Sequence, residues 1–215
     1  MEASSLGSSR SEQLRASPPM FENRWLDRLS RVHPATPLVI YVPIITALVV
    51  LAAGRMAAWA IALAIVAGYF VWTLTEYWLH RTVFHFEPDH PIGRRAHWII
   101  HGVHHDHPND PKRLVMPPGA SIPLALLFTG LFVLVVGSPT WMPFEAGFLA
   151  GYLAYDSLHY YLHHHRPKSR LGKRMRQLHM RHHFQDDTTG FGVSAPWWDH
   201  VFGTATHARR RPSDT

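Results

Sequence analysis

Four long apolar runs constrain the fold of this 215-residue chain more than any other feature. They cover residues 36–54, 57–79, 120–137 and 141 to about 162. A helix needs roughly 20 residues to cross the hydrocarbon core of a bilayer, so each run is long enough or nearly so. A soluble domain of this length could bury one such run, but not four. The sequence therefore predicts an all-α polytopic membrane protein with four transmembrane helices arranged as two hairpins.

The Lys and Arg residues predict how these hairpins are oriented. They are concentrated before residue 37, between residues 80 and 119, and after residue 162. The first loop between spans contains Arg55 alone, and residues 138–140 contain no basic residue. By the positive-inside rule both termini are cytoplasmic, as is a histidine-rich cap made of the middle and C-terminal segments. The same rule and contact with anionic lipid headgroups explain the net charge of +6, so we expect no nucleic-acid partner.

The polar N-terminal region sets the predicted domain boundary. Residues 1–20 are rich in Ser, Arg and Pro without periodicity, which is typical of disorder, and residues 21–32 could form a short interfacial helix. We therefore predict a disordered or interfacial segment over residues 1–35 and one membrane-embedded domain over residues 36–215. The first apolar run is of spanning length, which argues against a cleaved signal peptide. The absence of cysteine excludes disulfides, thiolate ligands and thiol catalysis.

Histidine is the residue type that carries the predicted chemistry. The chain has 18 histidines, and many of them fall in four groups: HRTVFH, HGVHH, HYYLH and HMRHH. Every group lies at the cytoplasmic end of a predicted span or in a cytoplasmic segment, so two hairpins would deliver all four to one membrane face. The sequence therefore predicts a shared metal site. Its ten candidate ligands are His80, His85, His101, His104, His105, His159, His163, His179, His182 and His183.

The spacing within the groups indicates two ions. Residues three or four apart share a helix face, so the first two histidines of each HxxHH group can bind one ion, with the third turned toward a second. His159 and His163 are four apart and can chelate one ion. His80 and His85 are five apart, which suits a bridge between two neighbouring sites. Five imidazoles for each ion leave room for an exogenous ligand, and imidazole binds iron, zinc, copper and nickel alike.

Two carboxylates and two tyrosines accompany these groups. Glu76 lies one turn before the first group and Asp156 three residues before the third, so we predict that both orient metal ligands. Tyr152, Tyr155 and Asp156 continue the histidine stripe into the fourth span, where they could contact a lipid headgroup at a substrate entrance. The alternative is an ordinary belt of aromatic residues at the membrane interface.

Four segments resemble the integral-membrane fatty acid hydroxylases, and within them the fatty acid 2-hydroxylases that act on sphingolipid acyl chains. They are EYWLHRTVFHF, HGVHHDHPNDPKRLVMPP, YDSLHYYLHH and HMRHHFQDDTTGFGVSAPWWDHVFGT, and the resemblance covers essentially residues 70–204. The histidine spacing is shared with sterol desaturases and carotenoid hydroxylases, whereas RLVMPP, YDSLHYYLHH and the GFGVS stretch are closer to the 2-hydroxylases. The family's ten metal-binding histidines match the ten named above on spacing.

The resemblance implies an oxidoreductase with two iron ions, which zinc could replace on isolation. It would use dioxygen to hydroxylate the carbon next to the carboxyl or amide of a fatty acid or ceramide acyl chain. The family's usual N-terminal cytochrome domain is missing from this sequence, so a separate electron donor of cytochrome or ferredoxin type is expected. The third histidine group continues through residues 164–165, either of which could compete with His163. Eighteen Arg against three Lys favours a bacterial inner membrane, with the endoplasmic reticulum expected for a eukaryotic source.

Two alternatives stay open at this point. The chain could be another membrane di-iron oxygenase, such as a sterol desaturase or carotenoid hydroxylase. It could also be a histidine-rich metal transporter, although a transporter should place ionisable ligands near the middle of the membrane. Here the histidines gather at one predicted face, which favours the enzyme.

Overall fold

A computed structural model describes residues 9–206 of the chain. Within this range every regular element is helical and no β-strand occurs, which confirms the all-α prediction. Two π-helical turns occur: His80–Phe84 directly follows the helix Ala58–Leu79, and Trp98–Gly102 joins the helices Pro91–His97 and Val103–Asp106. The α-helices are α1 (Arg10–Arg15), α2 (Arg24–Leu29), α3 (Thr36–Ala53), α4 (Ala58–Leu79), α5 (Pro91–His97), α6 (Val103–Asp106), α7 (Pro118–Val135), α8 (Trp141–His164), α9 (Arg170–Phe184) and α10 (Trp197–Val201).

Three of the helices are long and apolar enough to cross a membrane. They are α3, α7, and α4 together with its π-helical turn, over Ala58–Phe84. Many of their apolar side chains face outward, and the Leu134 side chain on α7 is 84% exposed. An apolar outer surface of this kind suits contact with lipid. The described helices therefore identify a membrane protein.

The fourth predicted span, α8, differs from the other three. Its 24 residues are enough to cross a bilayer, but it carries Glu145 and Asp156 and is less apolar than the others. It packs against α3, α4 and α7, and fifteen of its residues are buried, both carboxylates included. Ionisable residues within membrane helices almost always face the bundle interior, as these two do. That α8 spans the membrane stays a prediction.

The tightest contact between helices joins α4 to α8. A Cβ atom at Gly68 would overlap the backbone carbonyl of Phe144, and one at Gly147 would overlap that of Ile65. Glycine at facing positions lets two helix backbones approach closely, a common device in membrane bundles. The contact sets the rotation of α8 against α4, and both helices end in histidine groups.

The N-terminal region makes contacts that the sequence did not reveal. Ser9 caps α1 with its side chain, so part of the segment predicted to be disordered is helical. Asp27 accepts a hydrogen bond from the Arg113 guanidinium at 2.8 Å, and the same guanidinium contacts the carbonyl of Pro18. Trp25 on α2 is largely exposed, as expected of an interfacial helix. Residues 1–8 lie outside the described part of the chain, and the domain boundary at residue 35 stays a prediction.

Candidate metal centre

The ten predicted histidines gather in two groups of five. In each group five ring nitrogens, one from each residue, lie within 4.8 Å of one another. No other histidine among residues 9–206 belongs to either group, and His207 lies outside that range. The first cluster is His80, His85, His101, His105 and His182, and the second cluster is His104, His159, His163, His179 and His183.

Histidines four residues apart share a cluster, whereas those three apart do not. His101 lies with His105 in the first cluster, while His179 lies with His183 in the second. The middle histidine of each HxxHH group is directed to the other cluster, so the predicted pairing of residues three apart is wrong. A step of four residues overshoots a full helical turn by about 40°, and a step of three falls short by about 60°. Because the two sites lie side by side, each histidine shares its site with the one four residues away, whose direction around the helix differs less from its own.

His80 and His85 both belong to the first cluster, so the prediction that they bridge two sites is also wrong. The reason is the π-helical turn at the end of α4. The His85 N–H donates to the His80 carbonyl at 3.2 Å, and this hydrogen bond over five residues brings the two side chains to the same side. Their Nε2 atoms lie 3.3 Å apart.

The ring nitrogens within each cluster point at one another. In the first cluster the Nε2 of His85 lies 3.1 Å from that of His182, and the Nε2 atoms of His101 and His105 are also 3.1 Å apart. The His182 Nδ1 lies 2.7 Å from the Thr189 carbonyl, which can only accept, so the hydrogen is on Nδ1 and the lone pair on Nε2. Lone pairs that converge in this way suit a shared cation.

The cluster histidines are electrically neutral in the protein near pH 7. Burial first, and neighbouring imidazoles second, lower the pKa of His85 to about 3 and that of His105 to about 2. Burial, again with a contribution from nearby imidazoles, keeps the pKa of His104, His179 and His183 well below its ordinary value. Neutral imidazole is the form that binds a metal ion.

The second cluster contains buried ring nitrogens that lack a hydrogen-bond partner in the described part of the chain. They include the Nε2 atoms of His104 and His159 and both ring nitrogens of His183. Burying a polar group without a partner is unfavourable, so such groups are rare in folded proteins. A metal ion among these nitrogens would engage them. The residues of both clusters therefore fit metal ions bound by imidazole.

Neither predicted carboxylate makes a hydrogen bond to a cluster histidine. Glu76 accepts from the Ser194 amide at 2.7 Å and from the Ser194 hydroxyl. Asp156 accepts from the Met116 amide and the Tyr152 hydroxyl, both at 3.4 Å. Glu76 therefore anchors the loop that contains Ser194, and its predicted role in orienting metal ligands stays a prediction.

The groups that hydrogen-bond to the first-cluster rings were missed from the sequence. They are backbone carbonyls of a loop, those of Phe191 and Thr189, which accept from His80 and His182. Asp199 in turn accepts from the Phe191 amide. These groups lie in or next to the GFGVS and WWD stretch, which in the sequence indicated only the family resemblance. Backbone carbonyls carry no residue signature, so spacing could not reveal them.

The predicted substrate residues on α8 lie inside the protein. Tyr152, Tyr155 and Asp156 are all buried, and the Tyr155 ring stacks on that of His159 with centroids 5.6 Å apart. Tyr152 also lines a small apolar cavity between α3, α4, α7 and α8, together with Trp72. A belt at the membrane interface would be exposed, whereas these side chains join the cavity to the second cluster.

Comparison with known proteins places the chain in a family. The family model described as fatty acid hydroxylase matches residues 65–204. Two dihydroceramide fatty acyl 2-hydroxylases of Arabidopsis thaliana are 42% identical over 140 residues and 37% identical over 189 residues. These alignments cover 65% and 87% of this chain, and 59% and 79% of the respective relatives.

A solved structure of full-length scs7p, in which only the hydroxylase domain is visible, has the same fold, with a TM-score of 0.81 and 33% sequence identity. The superposition covers 88% of this chain and 72% of that chain. The family model covers more than half of the sequence, and its matched region contains all ten cluster histidines. The chain therefore belongs to the fatty acid hydroxylase family.

Proposed function

We propose that this protein is a membrane di-iron enzyme that uses dioxygen to hydroxylate a lipid acyl chain at the carbon next to the carboxyl or amide. The observation that carries the proposal is the pair of five-histidine clusters, whose neutral rings converge within 4.8 Å. The names of the two plant relatives, dihydroceramide fatty acyl 2-hydroxylases, support a ceramide or fatty acid as substrate.

The two clusters would each hold one iron ion. When bound, the ions supply the activation of dioxygen, which no side chain of the protein can provide. The protein's own part is to keep the imidazoles neutral and oriented, and to limit access of water. Burial keeps the imidazoles neutral and limits access of water, since His101, His104 and His179 are almost fully enclosed.

The acyl substrate would approach the second cluster along α8. Asp156 lies three residues before His159, a distance of about 4.5 Å along the helix axis. Polar atoms of the lipid, held by Tyr152, Tyr155 and Asp156, would therefore place the adjoining acyl carbon close to the second cluster. The apolar residues around the small cavity beside Tyr152 would contact the hydrocarbon.

Hydroxylation with dioxygen requires two electrons from a donor, in addition to the two that the substrate supplies. We assign their supply to a separate electron-transfer protein of cytochrome or ferredoxin type. The donor would meet the protein on the same side as the clusters, because electrons must reach the ions.

Expression of the chain with an electron-donor system, in a host that lacks 2-hydroxylated lipids, tests the proposed reaction. We expect mass spectrometry to find fatty acids or ceramides with one added oxygen at carbon 2. New double bonds, or oxygenated sterols or carotenoids, would instead support the related oxygenases. Metal movement across the membrane without any lipid product would support a transporter.

We also propose that α8 is the fourth span and that both termini are cytoplasmic, in a bacterial inner membrane or the endoplasmic reticulum. The cluster histidines at the C-terminal ends of α4 and α8 lie together, so these two helices run in the same direction. The short loops at residues 54–57 and 136–140 then lie on the opposite side, which is poor in basic residues.

Single cysteines test this topology, because the chain has none of its own. In intact cells an impermeant thiol reagent should label Arg55→Cys and Ser138→Cys but not Asp187→Cys, and all three residues are exposed. Labelling of Asp187→Cys but not of Ser138→Cys would reverse the topology.

A further inference from the structure

The loop at residues 189–195 has a backbone shape that side chains would disturb. Gly190 has a φ of +76°, a conformation that favours glycine. At Gly192 a Cβ would lie 2.5 Å from the Ala195 carbonyl oxygen and 3.0 Å from the Asp199 carboxylate. Only a residue without a side chain allows this approach, so the loop can fold back closely on α10.

Two carbonyls of this loop face the first cluster. The Phe191 carbonyl accepts from Nδ1 of His80, and the Thr189 carbonyl accepts from Nδ1 of His182, both at 2.7 Å. Each bond requires the hydrogen to be on Nδ1, and it therefore leaves the Nε2 lone pair free to bind a metal ion. Such hydrogen bonds also hold the plane of the ring.

One buried carboxylate holds the loop in place. Asp199 is only 4% exposed, and its Oδ1 accepts from the Phe191 amide at 2.8 Å and from the Thr204 hydroxyl at 2.9 Å. Its Oδ2 accepts from the Gly192 amide at 3.0 Å. Hydrogen bonds to an ionised carboxylate are stronger than those between neutral groups. Asp199 therefore fixes the residue whose carbonyl orients His80.

The second cluster has no equivalent support among the described residues. The Nδ1 atoms of His163, His179 and His183 are buried there without a hydrogen-bond partner. The loop and its carboxylate consequently act on one cluster and leave the other untouched.

We infer that Asp199 is a positioning residue for the first cluster alone, acting through the loop carbonyls on the rings of His80 and His182. This inference rests on the proposed function, since it requires that both clusters bind metal. Asp199 touches neither a metal ligand nor the substrate. Its removal should therefore weaken the binding of one ion and leave the binding of the second ion and the fold unchanged.

A chelator titration of metal-loaded, full-length protein in detergent tests the inference, with metal per chain measured by mass spectrometry. For Asp199→Ala we expect one of the two ions to be lost at a chelator concentration roughly 10- to 100-fold lower than in the wild type. Asp199→Asn keeps one acceptor oxygen and should give an intermediate shift. Glu22→Ala, which removes an exposed carboxylate from the N-terminal segment, is the control and should behave as the wild type.

The outcomes separate the inference from the proposed function. If both ions of Asp199→Ala and Asp199→Asn resist the chelator as in the wild type, Asp199 does not position the first cluster. If both variants lose both ions together and melt at a lower temperature, the role of Asp199 is structural and the inference also fails. Cobalt-substituted protein gives a second readout, because the visible absorption of one site should change. A wild-type protein that binds no metal would instead overturn the proposed function.

Discussion

The two histidine clusters have equal numbers of ligands but different surroundings. In the first cluster the rings of His80 and His182 donate to carbonyls of the loop at residues 189–195, and His85 and His105 are only partly buried. In the second cluster four of the five rings are buried, and no comparable carbonyl accepts from them in the described part of the chain. Protein backbone thus orients one cluster, while close packing confines the other.

The predicted substrate residues on α8 lie beside the second cluster rather than the first. Tyr155 stacks on His159, so the second cluster adjoins the stripe on α8 and the apolar cavity. The first cluster instead contacts the loop that Asp199 and Glu76 anchor. Under the proposed function this difference becomes a division of labour, in which the second cluster would lie next to the lipid and the loop would orient the first.

The largest effect should come from disrupting the close contact between α4 and α8. The helix α4 leads into the first cluster, and α8 carries ligands of the second. Gly147→Leu forces α8 away from α4, because any side chain there overlaps the Ile65 carbonyl. We expect a loss of about 3 kcal/mol in the free energy of unfolding and the loss of both ions, measured by thermal melting and metal analysis. Gly130→Leu on α7, where a Cβ meets open space, is the control and should retain both ions. Equal behaviour of the two variants would contradict the role of this contact.

His159→Ala should break the second cluster while sparing the first. It removes a buried ligand, so we expect hydroxylation to be abolished and metal content to fall from two ions per chain toward one. His165→Ala is the matched control, since this exposed histidine lies outside both clusters. Retention of two ions by His159→Ala would remove it from the ligand set.

Asp156→Asn should sharpen the distinction between ligand and substrate residues. Asp156 bonds to Met116 and Tyr152 but to no cluster ring, so we expect unchanged metal content and altered lipid selection. Loss of a hydrogen bond from the lipid to this carboxylate would weaken turnover by about 1.5–3 kcal/mol. A drop of roughly 10–100-fold in metal affinity would show instead that Asp156 orients a ligand, as first predicted.

Tyr155→Phe should have the smallest effect. The ring that stacks on His159 remains, so metal content should not change. If the hydroxyl contacts the lipid, its loss should cost about 0.5–1.5 kcal/mol in turnover or change which lipids are oxidised. Wild-type behaviour in both metal analysis and lipid mass spectrometry would leave Tyr155 with a packing role alone.

The helices and the ten candidate ligands could be predicted because their signals are local. The first apolar run, residues 36–54, corresponds to Thr36–Ala53, and the fourth, from residue 141, corresponds to α8. Hydrocarbon length and helical spacing act within one segment, so they are visible in the sequence.

The grouping of the histidines and their supports could not be predicted. His80 and His85 share a cluster because of a π-helical turn, whereas the spacing rules assume an α-helix. The carbonyl that orients His80 belongs to Phe191, which is distant in sequence, and its placement depends on Asp199. Such contacts arise only when the chain has folded, because backbone groups look the same at every position.

The central claim, that two clusters hold two ions, is tested most directly by metal analysis of anaerobically purified protein. The ten converging imidazoles predict two iron ions per chain, with zinc as an inert replacement in aerobic preparations. A stoichiometry of one ion per chain that persists after reconstitution with ferrous iron would contradict the claim.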